Sequence, residues 1–234
     1  MKAPGFIPVT PHIHLLKLPL FGAMVAVWLV RDGDDWSLID TGPSGQAETV
    51  RRAVEGLVGS APQRIVCTHG HFDHVGALPV LAATWRVPVF AHRAEIPFIA
   101  GPARHRDLRP ASMVYRALSL ICSPPAPCVP VEHSLEENDR IAGMRVIHVP
   151  GHTPGMIALL HEEDRALMAA DAFRFKLFGA MPLYTWDRAA ARESMRKLAD
   201  LDFDCLLTSH NDPIFKNGRI AARGAANAPL YLGL

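Results

Sequence analysis

The sequence is short of several things, and each shortage narrows the field. There are only four cysteines, Cys67, Cys122, Cys128 and Cys205, and no two form a Cys-x-x-Cys pair. That argues against a dithiol redox motif and a cysteine-rich zinc ribbon; Cys122 and Cys128 flank a proline-rich loop, but in a chain without a secretion signal free thiols are the expectation. Excess charge is missing too: the formal net charge is +1 over 234 residues, which gives no electrostatic footprint for nucleic acid or an anionic membrane. Long apolar runs are absent. The longest, Phe21 to Val30, is well short of the roughly 20 residues that span a bilayer, and the first residues, MKAPGFIPVTPHIH, carry no apolar signal core. The chain therefore reads as soluble and cytoplasmic. No segment is of low complexity.

Apolar residues and histidine are abundant. Hydrophobic residues make up 49% of the chain, enough for the core of one domain over residues 1–234. The histidine count is 12, so each one is to be read as ligand or bystander.

Periodicity predicts strands over His12–Leu18, Met24–Val30 and Trp36–Asp40, the last two joined as a hairpin by Asp32-Gly33-Asp34-Asp35. A helix is predicted over Gln46–Val58, with Ala47, Val50, Val54 and Leu57 on its apolar face. A strand over Arg64–Thr68, a helix over Gly76–Trp85 and a strand over Val87–Ala91 follow. Residues 93–130 break the scheme. They are rich in proline and arginine, show one helical patch near Ala111–Ile121, and carry Ile96, Phe98, Ile99, Met113, Tyr115 and Leu118; they read as an insertion that serves as a lid or substrate-binding segment. Strands return over Met144–Val149, Met156–His161, Ala166–Ala170 and Cys205–Thr208, with a helix over Asp187–Leu201 and an apolar tail. Alternation of this kind is α/β layered architecture.

The chemistry concentrates in Thr68-His69-Gly70-His71-Phe72-Asp73-His74. Four potential ligands fall within six residues, directly after a short apolar strand. Imidazole and carboxylate together suit zinc and other borderline divalent metals. His69 and His71 alternate and can aim at one ion; Asp73 and His74, one turn on, can face a second. Gly70 lets the backbone turn beside them. Three further candidates lie at strand ends, where sites in layered α/β folds assemble: His152 in Pro150-Gly151-His152-Thr153-Pro154-Gly155, Asp171 after Leu167-Met168-Ala169-Ala170, and His210 after Leu206-Leu207-Thr208.

His-x-His-x-Asp-His, then Gly-His-Thr-Pro-Gly, a strand-ending Asp and a late His together resemble the metallo-β-lactamase superfamily, over about residues 10–215. Leu38-Ile39-Asp40-Thr41-Gly42 is similar to that family's early strand and turn. The resemblance implies an αββα sandwich with a helical insertion and a site at one edge of its two sheets. It implies a first metal on His69, His71 and His152, a second on Asp73, His74 and His210, and Asp171 bridging them. Asp40 would orient a ligand histidine. Zinc is the expected metal, with iron, manganese and cobalt also suited. The other seven histidines, His12, His14, His92, His105, His133, His148 and His161, match no ligand position. Two departures, Met156 after the Gly-His-Thr-Pro-Gly turn and Ser209-His210-Asn211 in place of Gly-His-Gly, bear on pocket shape rather than on metal binding.

Two such metals would activate water to a metal-bound hydroxide at neutral pH, with Asp73 orienting it and handling a proton. The reaction implied is hydrolysis of a lactone, ester or thioester in a small-molecule substrate. Tyr184, between Asp171 and His210, is the candidate hydrogen-bond donor to the substrate carbonyl, as in lactonases of this type. Two alternatives share the fold: a mononuclear iron persulfide dioxygenase and a glyoxalase II-type thioesterase. The thioesterase is disfavoured because only about two dozen residues follow His210 and they offer no Lys/Arg cluster for glutathione. Nucleic acid and membrane are not expected partners, and a homodimer is left open.

Overall fold

A computed structural model describes residues 5–20, 22–103, 127–175, 181–182 and 184–228. Antiparallel pairing begins the chain. Strands β1 (Ile7–Pro8), β2 (Ile13–Leu20), β3 (Ala23–Asp32) and β4 (Asp35–Ile39) form a meander. The β3–β4 hairpin closes on Gly33, whose φ of 61° supplies the positive dihedral that a tight turn needs. Parallel pairing then takes over: β5 (Arg64–Cys67), β6 (Val89–His92) and β7 (His133–Leu135) add to β4 and complete a seven-stranded sheet in sequence order. Parallel strands need crossovers; helix α1 (Ala47–Val58) supplies that from β4 to β5, and α2 (Phe72–Val75) and α3 (Leu78–Trp85) that from β5 to β6. The second sheet has five strands. These are β8 (Arg140–Ile141), β9 (Met144–His148), β10 (Ile157–His161), β11 (Ala166–Met168) and β12 (Cys205–Leu207), ordered β12-β11-β10-β9-β8. Helices α5 (Arg188–Ala199) and α6 (Gly218–Asn227) accompany it, and α4 (Ile96–Ile99) is a single turn after β6.

Three apolar clusters define the layers. Ile13, Leu15, Trp28 and Val30 from the first sheet meet Met144, Val146, Ile157 and Leu159 from the second. Behind the first sheet, Val50, Val54, Leu78 and Leu81 of α1 and α3 pack on Val27, Leu29 and Ile65. Behind the second, Met195, Leu198 and Ala222 of α5 and α6 pack on Ile147, Leu160 and Leu206. The result is an αββα sandwich. No helix among the described residues is long and apolar enough to cross a membrane.

Several boundaries differ from the sequence reading for physical reasons. The helix expected over Gly76–Trp85 is α3, which begins at Leu78 with Pro79 in its first turn, where the missing N–H costs nothing, and the separate single turn α2 precedes it. On α1, Ala53 is buried and Leu57, in the last turn, is 43% exposed. The tail holds α6, whose buried residues are three alanines and a glycine, too small to give a clear apolar stripe. Of the expected insertion over 93–130, Ile99 belongs to the core behind the first sheet rather than lying over the site. Met113, Tyr115, Leu118 and His105 lie outside the described residues, as does Cys122. Cys67 and Cys205 are free and buried; Cys128 is exposed.

Helix α5 positions the Gly-His-Thr-Pro-Gly turn. Asp187 caps it by accepting from the Ala189 and Ala190 N–H groups, both at 3.0 Å. The Ser194 hydroxyl donates to the Pro150 carbonyl at 2.7 Å, and the Asp187 N–H to the Gly151 carbonyl at 2.8 Å. Gly151 has φ 131°, and a Cβ there would lie 2.1 Å from Ala191 N and 2.4 Å from Ala191 Cα. Neither backbone can yield. Gly151→Ala is expected to destabilise the protein by about 3–5 kcal/mol, combining overpacking and dihedral strain; denaturant unfolding checks this, and a loss under 1 kcal/mol would show that α5 can shift.

A second polar cluster ties the sheets together at the far end from His210. Asp164, in the β10–β11 turn, accepts from the Thr10 hydroxyl, from the His12 N–H at 3.2 Å and from His12 Nδ1 at 2.7 Å. The Asp164 N–H donates to His161 Nδ1 at 3.1 Å, and the His12 and His161 rings stack at 4.9 Å. Both Nδ1 atoms are engaged, that of His12 with the Asp164 carboxylate and that of His161 with the Asp164 N–H, so the group behaves as a clamp. Burial, against the pull of Asp164 and with His12 nearby, lowers the His161 pKa. Although burial opposes it, the Thr10 and His12 hydrogen bonds lower that of Asp164. Both folded pKa values lie below their unfolded ones, so the stability they contribute is present at neutral pH. It falls as pH drops below about 6.5 for the histidine and about 3.9 for the carboxylate. Asp164→Ala, with three donors released, is expected to cost about 2–4 kcal/mol at pH 7 and to flatten the acid limb of a Tm-against-pH curve; an unchanged limb would assign acid sensitivity elsewhere.

Candidate metal centre

Strand β5 ends at Cys67, and the next seven residues turn through His69, His71, Asp73 and His74 into α2. The backbone here is held from two sides. The Ile157 N–H donates to the Thr68 carbonyl at 3.0 Å, and the Thr41 N–H and hydroxyl donate to the His74 carbonyl at 2.7 and 2.9 Å. Asp40 lies under the loop, 1% exposed, in the left-handed region at φ 59°. Its carboxylate accepts from the Thr68 N–H at 2.7 Å, the Thr68 hydroxyl at 2.7 Å and His74 Nδ1 at 2.8 Å.

These bonds fix which ring nitrogens face inward. His74 spends its Nδ1 proton on Asp40, which leaves the Nε2 lone pair for the site. The Thr68 hydroxyl donates to Asp40, so its oxygen accepts from His69 Nδ1 at 3.1 Å, and His69 Nε2 points inward. His210 Nδ1 lies 3.0 Å from the Met24 carbonyl, which can only accept; its Nε2 faces Asp73 and Asp171.

The inward atoms form overlapping groups. His71 Nδ1 lies 3.0 Å from His69 Nε2 and 2.9 Å from His152 Nε2. Tetrahedral zinc with bonds of about 2.0–2.1 Å sets its ligands roughly 3.3 Å apart, close to this spacing. His74 and His210 lie beside Asp73, their Nε2 atoms 3.7 and 3.4 Å from Asp73 Oδ2. Asp171 reaches both groups: its oxygens are 3.5 Å from His152 Nε2, 3.4 Å from His74 Nε2 and 3.2 Å from His210 Nε2. It follows Ala170, itself at φ 45°, in a turn held by the bond from the Ser209 N–H to the Ala170 carbonyl at 3.1 Å. All seven residues named from the sequence are thus brought to one place. Tyr184 joins them, its ring centroid 4.8 Å from that of His71, on a loop bonded to the His152 turn through the Trp186 N–H.

The electrostatics favour cations. Burial, reinforced by His74 and His210 against Asp171 and Asp73, pushes His152 down to about 4, so it is neutral at pH 7. Burial works against charge on His74 and His210, but the Asp73 and Asp171 carboxylates, with Asp40 at His74, raise both, His210 to about 9. The buried carboxylates therefore demand positive charge. His74 Nε2 and Asp171 Oδ1 are buried without a hydrogen-bond partner, and a divalent ion between such donors would satisfy both.

The family profile of the metallo-beta-lactamase superfamily matches residues 20–210. The chain belongs to the metallo-beta-lactamase superfamily. It is similar to the probable metallo-hydrolase YflN of Bacillus subtilis, 31% identical over 205 residues that cover 76% of this chain and 75% of that protein. It is also similar to the hydroxyacylglutathione hydrolase of Nitrosomonas europaea, 26% identical over 75% of this chain and 54% of that enzyme. Among solved structures, the di-iron-bound form of TTHA1623 superposes with a TM-score of 0.66 at 29% identity, covering 88% of this chain and 96% of the other.

Reasoning from sequence alone missed two parts of this superfamily site. Thr68 relays Asp40 to His69, and Glu95, 0% exposed, accepts from the Gly70 N–H and the Gly155 N–H, each at 2.8 Å. Glu95 stands in a one-turn helix with no period to mark it. Its only sequence signal is a lone carboxylate between Ala94 and Ile96.

Proposed function

We propose that this chain is a metal-dependent hydrolase that opens lactones or small esters. Two divalent metals, zinc foremost, would be held by His69, His71 and His152 on one side and by Asp73, His74 and His210 on the other, with Asp171 within reach of both groups. The observation that carries this reading is the convergence of seven ligand side chains, three of whose imidazoles have their inward lone pairs preset by Thr68, Asp40 and the Met24 carbonyl. Divalent ions so bound polarise a carbonyl and lower the pKa of water from about 15.7 toward 7. The protein's own groups do the rest. Asp73 orients the attacking water and carries a proton, and the Tyr184 hydroxyl donates to the carbonyl oxygen as charge builds there.

A small neutral substrate is supported by the cleft of about 290 Å³ beside His210, whose wall mixes Met24, Val25 and Ala26 with Ser209 and Asn211. Among the described residues, its lysine, Lys17, is paired with Asp212, whose carboxylate also lines the cleft, and this disfavours a doubly anionic glutathione moiety there. A second reading, hydrolysis of a glutathione thioester, is favoured by the similarity to the hydroxyacylglutathione hydrolase.

The deciding experiment has two arms. Elemental analysis of metal-replete protein is expected to return two metal ions per chain; one or none refutes the two-metal centre. In side-by-side kcat/KM measurements, simple γ- and δ-lactones, acyl-homoserine lactones and aryl esters are expected to exceed S-lactoylglutathione by tenfold or more. The reverse order establishes the thioesterase reading.

A further inference from the structure

Among the described residues, Glu95 is the most deeply buried carboxylate with no place in the ligand set, and its two oxygens are divided between two loops. Oε2 accepts from the N–H of Gly70, the residue between His69 and His71. Oε1 accepts from the N–H of Gly155, three residues after His152. These are the loops that carry the three imidazoles of the first group, and they come from different sheets. The residue's own backbone is anchored: its N–H donates to the His92 carbonyl at 2.8 Å, and its carbonyl accepts from Phe98 and Ile99 at 2.9 and 3.1 Å. The approach is close as well. A Cβ on Gly155 would lie 2.8 Å from Glu95 N and 2.9 Å from its Cγ, so only glycine lets the second loop reach the carboxylate.

We propose that Glu95 is a positioning residue that holds the His69–His71 loop and the His152 turn in register, so that it sets the affinity of the tri-histidine metal position specifically. This rests on the two-metal reading above. A buried carboxylate is suited to the task because both its oxygens only accept, and each faces a loop N–H, that of Gly155 buried and that of Gly70 half-buried. His74, His210 and Asp171 are held by other contacts, to Asp40, to the Met24 carbonyl and through the Ala170 turn, so three of the four groups at the second position do not depend on this clamp.

The test is E95Q. Glutamine has the same shape but one acceptor, and its NH2 must face one of the two loop N–H groups, donor against donor. Metal-free wild type and variant are titrated with Co(II) in competition with a chelator, following the visible absorption bands, and amide exchange of Gly70 and Gly155 is measured in both. The expected result is stepwise: one Co(II) bound as in wild type and the other weakened about 10–100-fold, the range seen when groups supporting a ligand are removed. One of the two glycine amides loses its protection. Should E95Q fail to fold, E95D keeps both acceptors on a shorter arm and is expected to show the same selective weakening at smaller size. Two Co(II) affinities within twofold of wild type, or equal weakening of both positions together with a general fall in Tm, would overturn the proposal. A wild type that binds no metal would instead bring down the two-metal reading itself.

Discussion

Asp73→Asn is expected to fold normally, to hold its first metal, and to lose about 10²–10⁴-fold in turnover, the range that a positioned acid–base group contributes. Asp73 sits in the first turn of α2, 8% exposed, with Oδ2 3.4 Å from His210 Nε2. Burial would favour its neutral form, but His74 and His210 reverse that and lower its pKa, so it is an anion at neutral pH. Asparagine keeps the shape and removes both the charge and the basicity. The variant therefore separates chemistry from architecture: circular dichroism and Tm should stay near wild type, metal content should fall by no more than the second ion, and kcat should collapse even with excess metal present. Turnover within threefold of wild type at full metal content would remove Asp73 from the chemistry and leave it a ligand only.

How much of this was legible beforehand depended on how local the signal was. The ligand cluster could be read because each residue follows an apolar strand of three to five residues: β5 before His69, β11 before Asp171, β12 before His210. Strand ends in an αββα sandwich share an edge, so linear order translated into proximity. The β3–β4 hairpin was legible from Gly33 for the same reason. What failed was long-range or carried by small residues. Helix α6 buries alanines, so its pattern looks like a mildly apolar tail. The separate turn α2 depends on close packing at Gly76, where a Cβ would meet the Phe72 carbonyl at 2.3 Å and Ser44 N at 2.5 Å, a contact that spacing does not announce. Glu95 lies 25 and 60 positions from the glycines it joins, and Asp164 lies 152 and 154 from His12 and Thr10, and no spacing rule announces such pairs.

Asp40→Asn should do more damage than its single-atom change suggests. The carboxylate receives three protons, from the Thr68 N–H, the Thr68 hydroxyl and His74 Nδ1. Asparagine can accept at only one of its two terminal atoms. If the amide oxygen stays with the Thr68 N–H, as the rigid loop favours, the NH2 group faces both the Thr68 hydroxyl and His74. His74 can then meet it only by turning Nδ1 into an acceptor, which moves the ring proton to Nε2. That proton points at Asp73 and Asp171, 3.7 and 3.4 Å away, into the position that a metal needs as a lone pair. The Thr68 hydroxyl loses its acceptor at the same time, which frees it to donate to His69 and threatens the tautomer of the first group. One substitution thus reaches both metal positions through the protonation of two imidazoles. The expected outcome is a loss of about 2–4 kcal/mol in stability, a second-metal affinity at least 10–100-fold weaker, and turnover reduced by at least as much as in Asp73→Asn. Nitrogen-detected NMR of the histidine rings in metal-free protein reads the tautomer once the pH is high enough to neutralise His74, whose pKa, against burial, is raised by Asp73, Asp171 and Asp40: His74 should change from the Nδ1–H to the Nε2–H form. If His74 keeps its tautomer and both metals bind as in wild type, the carboxylate is only packing beneath the loop, and the orientation of the site must come from the backbone bonds at Thr41 and Ile157.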